Sequence, residues 1–532
     1  MCGFLFSNRK IHDLDACITY LTNRGPDHTS SITFRDFNCV HSLLSITGAK
    51  RPQPFFSKLN SYNAAHKAIN NNQYQDDDIL CMYNGEIYNA DQFGKFNSDG
   101  ECLIPLYQEY GVNFIQKLEG EYALLLYDRK NNLLIISTDI FGTKPLWIAI
   151  EGSNIGVSSY ASCLMHLGFS QPQEVSANST LILDGSSFEI IEKRIVHQFN
   201  LKQHKRQYED WEQAFENAVK TRTLHSREKA FIGLSSGYDS GVIGLALHKQ
   251  GIPFKAYSII GSENPETIKD RMSFLNCEQE ILSLDRDRFL KAREYLKQNC
   301  EPYDFMIDND EKNNYEKAQS ALDKENRRIF FAKKNIPALE KEKDRWQRAL
   351  ESRKAAQLTD DNGSIGLSAI CQLAREDNRL IYFSGQGADE IISDYGFGGI
   401  KHYRHSTFGG HFPKNLRKHF PWRNFFGNTQ RAYLRKEEHV SGSYGIEGRY
   451  PFLDKKVVQE FLSLDQKFKN AQYKAPLHAY LCKNNFPFDV NKKVGFNCGF
   501  SGASKDYEKR IATRKKVGES TDPSLRVNLK KL

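Results

Sequence analysis

The sequence predicts two domains, a layered β-rich one followed by one built on strand–loop–helix units, and three observations predict this. The chain has 532 residues, too many for a single ordinary core. Its first 200 residues read as short strand-like runs at close intervals with few helical patterns. In the second half, the apolar run Ala230-Phe231-Ile232-Gly233-Leu234 ends in Ser235-Ser236-Gly237-Tyr238-Asp239-Ser240-Gly241, ahead of a helix-capable stretch at 242–247. Hydrophobic residues at 39% and aromatic ones at 12% are enough for packed interiors.

The chemistry begins at Met1-Cys2-Gly3. Removal of the initiator methionine would leave Cys2 with a thiol and a free α-amine on one residue. The amine, which ordinarily titrates near pH 8, can then serve as the nucleophile's own general base. Phe4-Leu5-Phe6 follows as a strand, and Asn23-Arg24-Gly25-Pro26-Asp27 as a turn. Met82-Tyr83-Asn84-Gly85-Glu86-Ile87-Tyr88-Asn89 carries an Asn-Gly pair, first of all a hairpin signal. Further runs are Ser98-Asp99-Gly100-Glu101, Glu119-Gly120-Glu121-Tyr122 and Gly142-Thr143-Lys144-Pro145-Leu146.

Taken in order, these runs resemble the class II glutamine amidotransferase domain, an α+β N-terminal-nucleophile hydrolase of layered β-sheets flanked by helices. The resemblance matches Cys2 to the nucleophile, Asn84-Gly85-Glu86 to the Asn-Gly-Glu motif, and Ser98, Asp99 and Glu101 to a Ser-Asp-x-Glu motif. It implies that Cys2 attacks the glutamine amide, giving a thioester and ammonia. Asn84 and the Gly85 N–H would stabilise the oxyanion, and Asp99 would hold the glutamine ammonium, with Glu86 in the same pocket. One departure stands out: Leu43 occupies the place where the family usually has an arginine for the glutamine α-carboxylate. A leucine cannot make that charged contact, and Arg51 is the candidate to reach in instead.

In the second half the 235–240 run reads as an anion cradle, with backbone N–H groups and a helix N-terminus facing phosphate. Ser384-Gly385-Gln386-Gly387-Ala388-Asp389-Glu390 again follows an apolar run, and its carboxylates suit Mg²⁺. Glu447-Gly448-Arg449-Tyr450-Pro451-Phe452-Leu453-Asp454 and Tyr473-Lys474-Ala475-Pro476 come later. These runs resemble the asparagine synthetase domain, an α/β pyrophosphate-loop ATPase with a parallel sheet, here spanning 205–532 after an amidotransferase domain at 2–200. The resemblance implies ATP binding by Leu234, Ser235, Ser236, Gly237, Asp239, Ser240, Ile259, Ser384 and Gly385, and Mg²⁺ on Asp239 and Asp389. It also implies Lys474 stabilising pyrophosphate, Gln386 at the reacting carboxylate, and a water-free path for ammonia between the sites. The family often has glutamate where Gln386 stands, and Gly-Gly-Tyr where Ser393-Asp394-Tyr395 stands. Both changes bear on the acceptor carboxylate, which is aspartate or a related acid.

About fifty residues, 311–361, form a charged insertion relative to that pattern, with Leu339, Trp346 and Leu350 on one helical face. Such mixed charge reads as a solvated helical pair with a thin apolar seam. The polar stretch 201–206 reads as the linker, followed by a helix at 211–219. Formal net charge is +8, and the basic run at 510–516 reads as a solvated tail, so nucleic acid is not indicated. The eleven cysteines form no Cys-x-x-Cys, no run approaches a membrane span, and no signal-peptide layout is present. A reducing cytoplasm fits, and a homodimer is among the assemblies left open. The sequence thus predicts a glutamine-dependent carbon–nitrogen ligase with ATP and Mg²⁺. The competing readings are a scaffold protein that keeps the fold, or a specialised amidotransferase for a sugar acid, natural product, peptide or nucleic-acid carboxylate.

Overall fold

A computed structural model describes residues 2–58, 78–224, 226–260, 264–303, 320–329, 337, 339–344, 347, 361–403 and 405–489. Trp346, Leu350 and the 510–516 run lie outside the described residues. Within the insertion, 320–329 is helical with Leu322 buried, and Leu339 lies half-buried in a second helical stretch.

The first half is built in four layers. One six-stranded sheet places Gly3–Ser7 between Phe37–Leu43 and Asn154–Ser158, antiparallel to both. A second places Ile79–Ile87 beside Gly120–Asp128. Strand alternation explains the layering, since successive side chains leave opposite faces. Phe4, Phe6, Leu80, Met82 and Leu125 meet between the sheets. Leu5 and Val40 face the Leu14–Arg24 and Ala161–His166 helices, whereas Cys81, Tyr83 and Leu124 face the Leu103–Tyr110 helix. The N-terminal strand is therefore central, and it brings Cys2 to the sheet end.

The hairpin expectation for Asn84-Gly85 is corrected. Ile79–Ile87 is one continuous strand, buried at every position and paired residue for residue with Gly120–Asp128. Gly85 serves close approach rather than a turn. Its φ is +134°, and a Cβ there would collide with the Glu121 carbonyl oxygen.

The second half holds a five-stranded parallel sheet in the order Glu278–Leu282, Phe254–Ile259, Lys229–Gly233, Arg379–Phe383, Glu447–Arg449. Helices cover both faces, as a parallel sheet requires. Trp211, Phe215 and Leu245 pack against Ala230, Ile232 and Ile381 on one side. Leu296 and Ile370 pack against Phe231, Tyr257 and Tyr382 on the other. Lys229–Gly233 comes first in the chain, yet its neighbours Phe254–Ile259 and Arg379–Phe383 lie on opposite sides. The strand order reverses there, and the crevice beyond its C-terminal end is where open α/β sheets bind ligands. Both glycine-rich runs, 235–240 and 384–387, emerge at that point. The observed helix Glu209–Thr221 slightly exceeds the predicted one. The 201–206 stretch is tied down, because the His204 and Lys205 N–H groups both donate to the Ser463 carbonyl.

Candidate functional site

Two sites take shape. At the first, Cys2 is buried and held at both of its backbone ends. Its N–H donates to Asn84 Oδ1 at 2.9 Å, and its carbonyl accepts from Arg24 Nε at 2.7 Å. The Sγ lies 3.9 Å from the Leu44 carbonyl oxygen. Because Asn84 spends its oxygen on Cys2, its Nδ2 is left buried without a hydrogen-bond partner. A buried, unspent donor beside a thiol is what a developing oxyanion requires. Leu43, Arg51, Gly85, Glu86 and Asp99 line one cleft with Cys2. Arg51 forms an ion pair with Glu101 from within the buried wall. An arginine thus lines the cleft eight positions after Leu43 in the chain.

Burial sets the charge state here. It pushes the Cys2 thiol up to about 11 and, with Glu447 and Asp99 adding repulsion, Glu86 up to about 8. Asp99 is likewise raised by burial. Its oxygens accept from Tyr83 Oη and the Ile87 N–H, both at 2.7 Å. That anchors the carboxyl at the cleft wall.

At the second site, Ser235 Oγ and Ser240 Oγ lie 2.9 Å apart, and Ser240 Oγ accepts from the Ser235 N–H at 3.0 Å. The Gly237 N–H donates to Ser235 Oγ at 3.2 Å. Buried Arg271 holds the loop from behind through the Ser235 and Gly237 carbonyls. Ser236, which stands where the family pattern has glycine, is buried. Ser258 Oγ donates to the Leu234 carbonyl at 2.7 Å, pinning the neighbouring strand that ends in Ile259. Gly385 faces this loop so closely that a Cβ would meet Asp239 Cβ at 2.8 Å.

Lys474 closes the site. Its ammonium donates to Asp239 Oδ1 and Oδ2 at 2.6 and 2.8 Å and lies 2.9 Å from Asp389 Oδ1. Burial opposes its charge, but the two aspartates outweigh that and hold its pKa well above the usual lysine value. The residue adopts φ 48° and ψ 52°, a left-handed conformation that costs about 1–3 kcal/mol for a side chain with a Cβ. Two carboxylates in the first turns of the Tyr238–Lys249 helix and the Ala388–Ser393 helical turn fit Mg²⁺, which takes one or two protein carboxylates and completes its shell with phosphate oxygens and water. Among the described residues no cluster of three or more ligating side chains forms a self-sufficient metal site. Gln386 is half-buried; its N–H donates to Ser384 Oγ at 3.1 Å and its Nε2 is buried without a partner. Ser384 Oγ in turn donates to Glu437. Burial raises Glu437 and Glu390 to about 7 each.

Between the sites runs a buried ionic seam that the sequence leaves without roles. Arg24, Lys144 and Glu121 of the first half meet Glu438, Arg222, Arg449 and Tyr450 of the second. Glu438 pairs with Arg24 at 2.5 Å and Lys144 at 2.9 Å, and accepts from Tyr450 Oη at 2.8 Å. Glu121 Oε1 accepts from Arg222 Nε at 2.7 Å and the Tyr450 N–H at 2.9 Å. Arg449, paired with Glu447 at 2.7 Å, reaches to 3.6 Å from Glu86. The motif positions Arg24, Lys144 and Arg449 are thus interface residues. Glu438 and Arg222 escape sequence reasoning altogether, since a lone charge on an amphipathic helix carries no signal that it is buried against another domain.

Two family models match this chain. One described as a glutamine amidotransferase domain matches residues 1–200, and one described as asparagine synthase matches 210–433. A Methanocaldococcus jannaschii protein, provisionally named an asparagine synthetase (glutamine-hydrolyzing) 1, is 25% identical over 427 residues, covering 75% of this chain and 67% of that one. Amidase chyE of Penicillium rubens is 29% identical over 165 residues, 31% of this chain and 23% of its own length. An asparagine synthetase (glutamine-hydrolyzing) of Triphysaria versicolor is 31% identical over 144 residues, 25% and 22% of the two chains. The chain therefore spans under a quarter of the last two. A solved allosteric regulatory enzyme of purine biosynthesis overlaps 53% of the chain at 14% identity and TM-score 0.29, too loose an overlap to build on.

Proposed function

This chain belongs to the glutamine-hydrolysing asparagine synthetase family, and from that premise we propose that it is an ATP-dependent amide synthetase that draws its nitrogen from glutamine. With Met1 removed, the Cys2 α-amine takes the thiol proton and the sulfur attacks the glutamine amide. Asn84 Nδ2 and the Gly85 N–H receive the oxyanion. Arg51 binds the α-carboxylate, and Asp99 and Glu86 the polar head. Ammonia leaves, and water later cleaves the thioester.

In the second half, the 235–240 loop and the Ser384-Gly385 turn would cradle ATP phosphates beside Leu234 and Ile259. The acceptor carboxylate attacks the α-phosphorus, giving an acyl-adenylate and pyrophosphate. Mg²⁺ on Asp239 and Asp389 would supply charge neutralisation on the phosphates. Lys474 would move from its aspartate partners onto the departing pyrophosphate. The Gln386 amide and Ser384 would orient the acceptor. Ammonia then displaces AMP. The observation that carries this reading is that one chain holds both a buried Cys2 beside the unspent Asn84 Nδ2 and, at the C-terminal edge of its parallel sheet, Lys474 between Asp239 and Asp389.

Aspartate leads as acceptor, with a related carboxylate as the alternative suggested by Gln386 and Ser393. Pyrophosphate release from Mg-ATP and glutamine, across a panel of carboxylic acids including aspartate, tests the proposal. Release with one acid, and its amide as product, supports it and names the acceptor. ATP binding without release across the panel, alongside no glutamine hydrolysis, would overturn it.

A further inference from the structure

Arg24 ends the Leu14–Arg24 helix and is wholly buried. Its Nε donates to the Cys2 carbonyl at 2.7 Å, its Nη1 to Tyr160 Oη at 3.1 Å and the Glu438 carbonyl at 3.0 Å, and its Nη2 to Glu438 Oε2 at 2.5 Å. A guanidinium is planar, so fixing one edge on a carboxylate fixes where the other edge points. Glu438 is itself fixed, because Oε1 takes Lys144 and Tyr450. Burial would favour its neutral form, yet Lys144 and Arg24 outweigh that and keep the carboxyl below its ordinary pKa. The carboxylate comes from the Thr429–Gly442 helix of the second half, while Arg24 and the Cys2 it holds belong to the first.

We propose that Glu438 is a positioning residue for the glutaminase reaction, through which the synthetase half holds Cys2 by way of Arg24. The inference rests on reading Cys2 as the nucleophile. Among the described residues Cys2 has two backbone ties, one to Asn84 from its own domain and one to Arg24. Of these, the second depends on the other half. The glutaminase site is then complete only when the synthetase half is docked, which couples ammonia release to the presence of its consumer. Among the described residues the side chain of Glu438 bonds Arg24, Lys144 and Tyr450 and not the proposed glutamine-binding groups, so its loss should act on turnover and not on binding.

The test uses the full chain with Glu438→Gln and Glu438→Asp, reading glutamine conversion to glutamate. Glu438→Gln is expected to lower kcat by about tenfold or more, the scale on which a small misplacement of a reacting group acts, while KM stays within about threefold. Glu438→Asp, which keeps the charge, is expected to recover part of the kcat. Inactivation by a diazoketone analogue of glutamine should show the same split, a slower maximal rate at unchanged half-saturation. Unchanged kcat in Glu438→Gln, or a raised KM with kcat intact, would overturn the proposal. If Glu438→Gln lacks a cooperative thermal transition, Tyr450→Phe removes one hydrogen bond to Glu438 and leaves both ion pairs. A fall in kcat of about threefold at constant KM is then expected, and no change would overturn the proposal. A wild-type chain that neither hydrolyses glutamine nor is labelled at Cys2 would instead overturn the reading of Cys2 itself.

Discussion

Around Cys2, burial drives the thiol, Glu86 and Asp99 toward their neutral forms, whereas Lys474, also buried, keeps its charge beside the partly exposed Asp239 and Asp389. The thiol rises to about 11, Glu86 to about 8, and Asp99 rises as well. At the other site the Lys474 pKa is held up by Asp239 and Asp389, each within hydrogen-bond distance. The difference follows from what each proposed reaction does with charge. Attack on an amide starts from neutral partners and develops one oxyanion, so a dry cleft with an unspent donor beside the thiol serves it. Release of pyrophosphate involves several negative charges from the outset, so cation and carboxylates must be in place before the nucleotide arrives.

The largest effect that would sharpen this contrast is expected from Cys2→Ala. Glutamine hydrolysis should fall by ~10⁴-fold or more, as when other covalent nucleophiles are deleted, while ammonia-driven pyrophosphate release persists. Loss of both activities would break the two-site picture. Lys474→Ala should act in mirror image. Pyrophosphate release drops by about 10²–10³-fold, the scale of removing one preorganised stabiliser, and glutamine hydrolysis remains measurable; normal release would remove Lys474 from the chemistry.

A smaller effect separates the two jobs inside the first site. Arg51→Ala should raise KM for glutamine by about 10–100-fold through loss of one partner of a buried charge contact, with kcat little changed. An unaltered KM would mean that the α-carboxylate binds elsewhere. The smallest effect concerns pH. Burial pushes the thiol up to about 11, so activity near neutral pH is expected to follow a separate base. With the α-amine in that role, kcat/KM for glutamine rises up to a plateau near pH 8, the amine being active only once deprotonated. A rate that climbs steadily toward pH 11 would assign the limb to the thiol alone.

Much of both sites was legible because their chemistry is local in sequence. Cys2, the Asn84-Gly85-Glu86 strand, the 235–240 loop and the Lys474 turn each carry their spacing within a few residues, and apolar runs placed Phe4 to Phe6 and Ala230 to Gly233 in strands. Asn84-Gly85 misled as a hairpin signal because the pair suits a tight turn by itself. Only the approach of the Glu121 backbone, 36 residues later in the chain, reveals why glycine is needed. Glu438 was invisible for the same reason in stronger form. Its partners Arg24 and Lys144 lie 414 and 294 positions away, and its own neighbourhood, Lys436-Glu437-Glu438-His439, carries no motif. Arg51 sits between these cases, noticed for its charge but placed in the cleft only by the fold.

The measurement that bears most directly on one chain passing ammonia between two sites is isotopic. Glutamine labelled with ¹⁵N at its amide is supplied together with unlabelled ammonium and the acid that supports pyrophosphate release, and the product amide is analysed by mass. Channelled transfer predicts that the product keeps the label of glutamine despite the competing ammonium. A product whose label matches the mixed pool would contradict it, showing that the ammonia escapes to solvent before it is used.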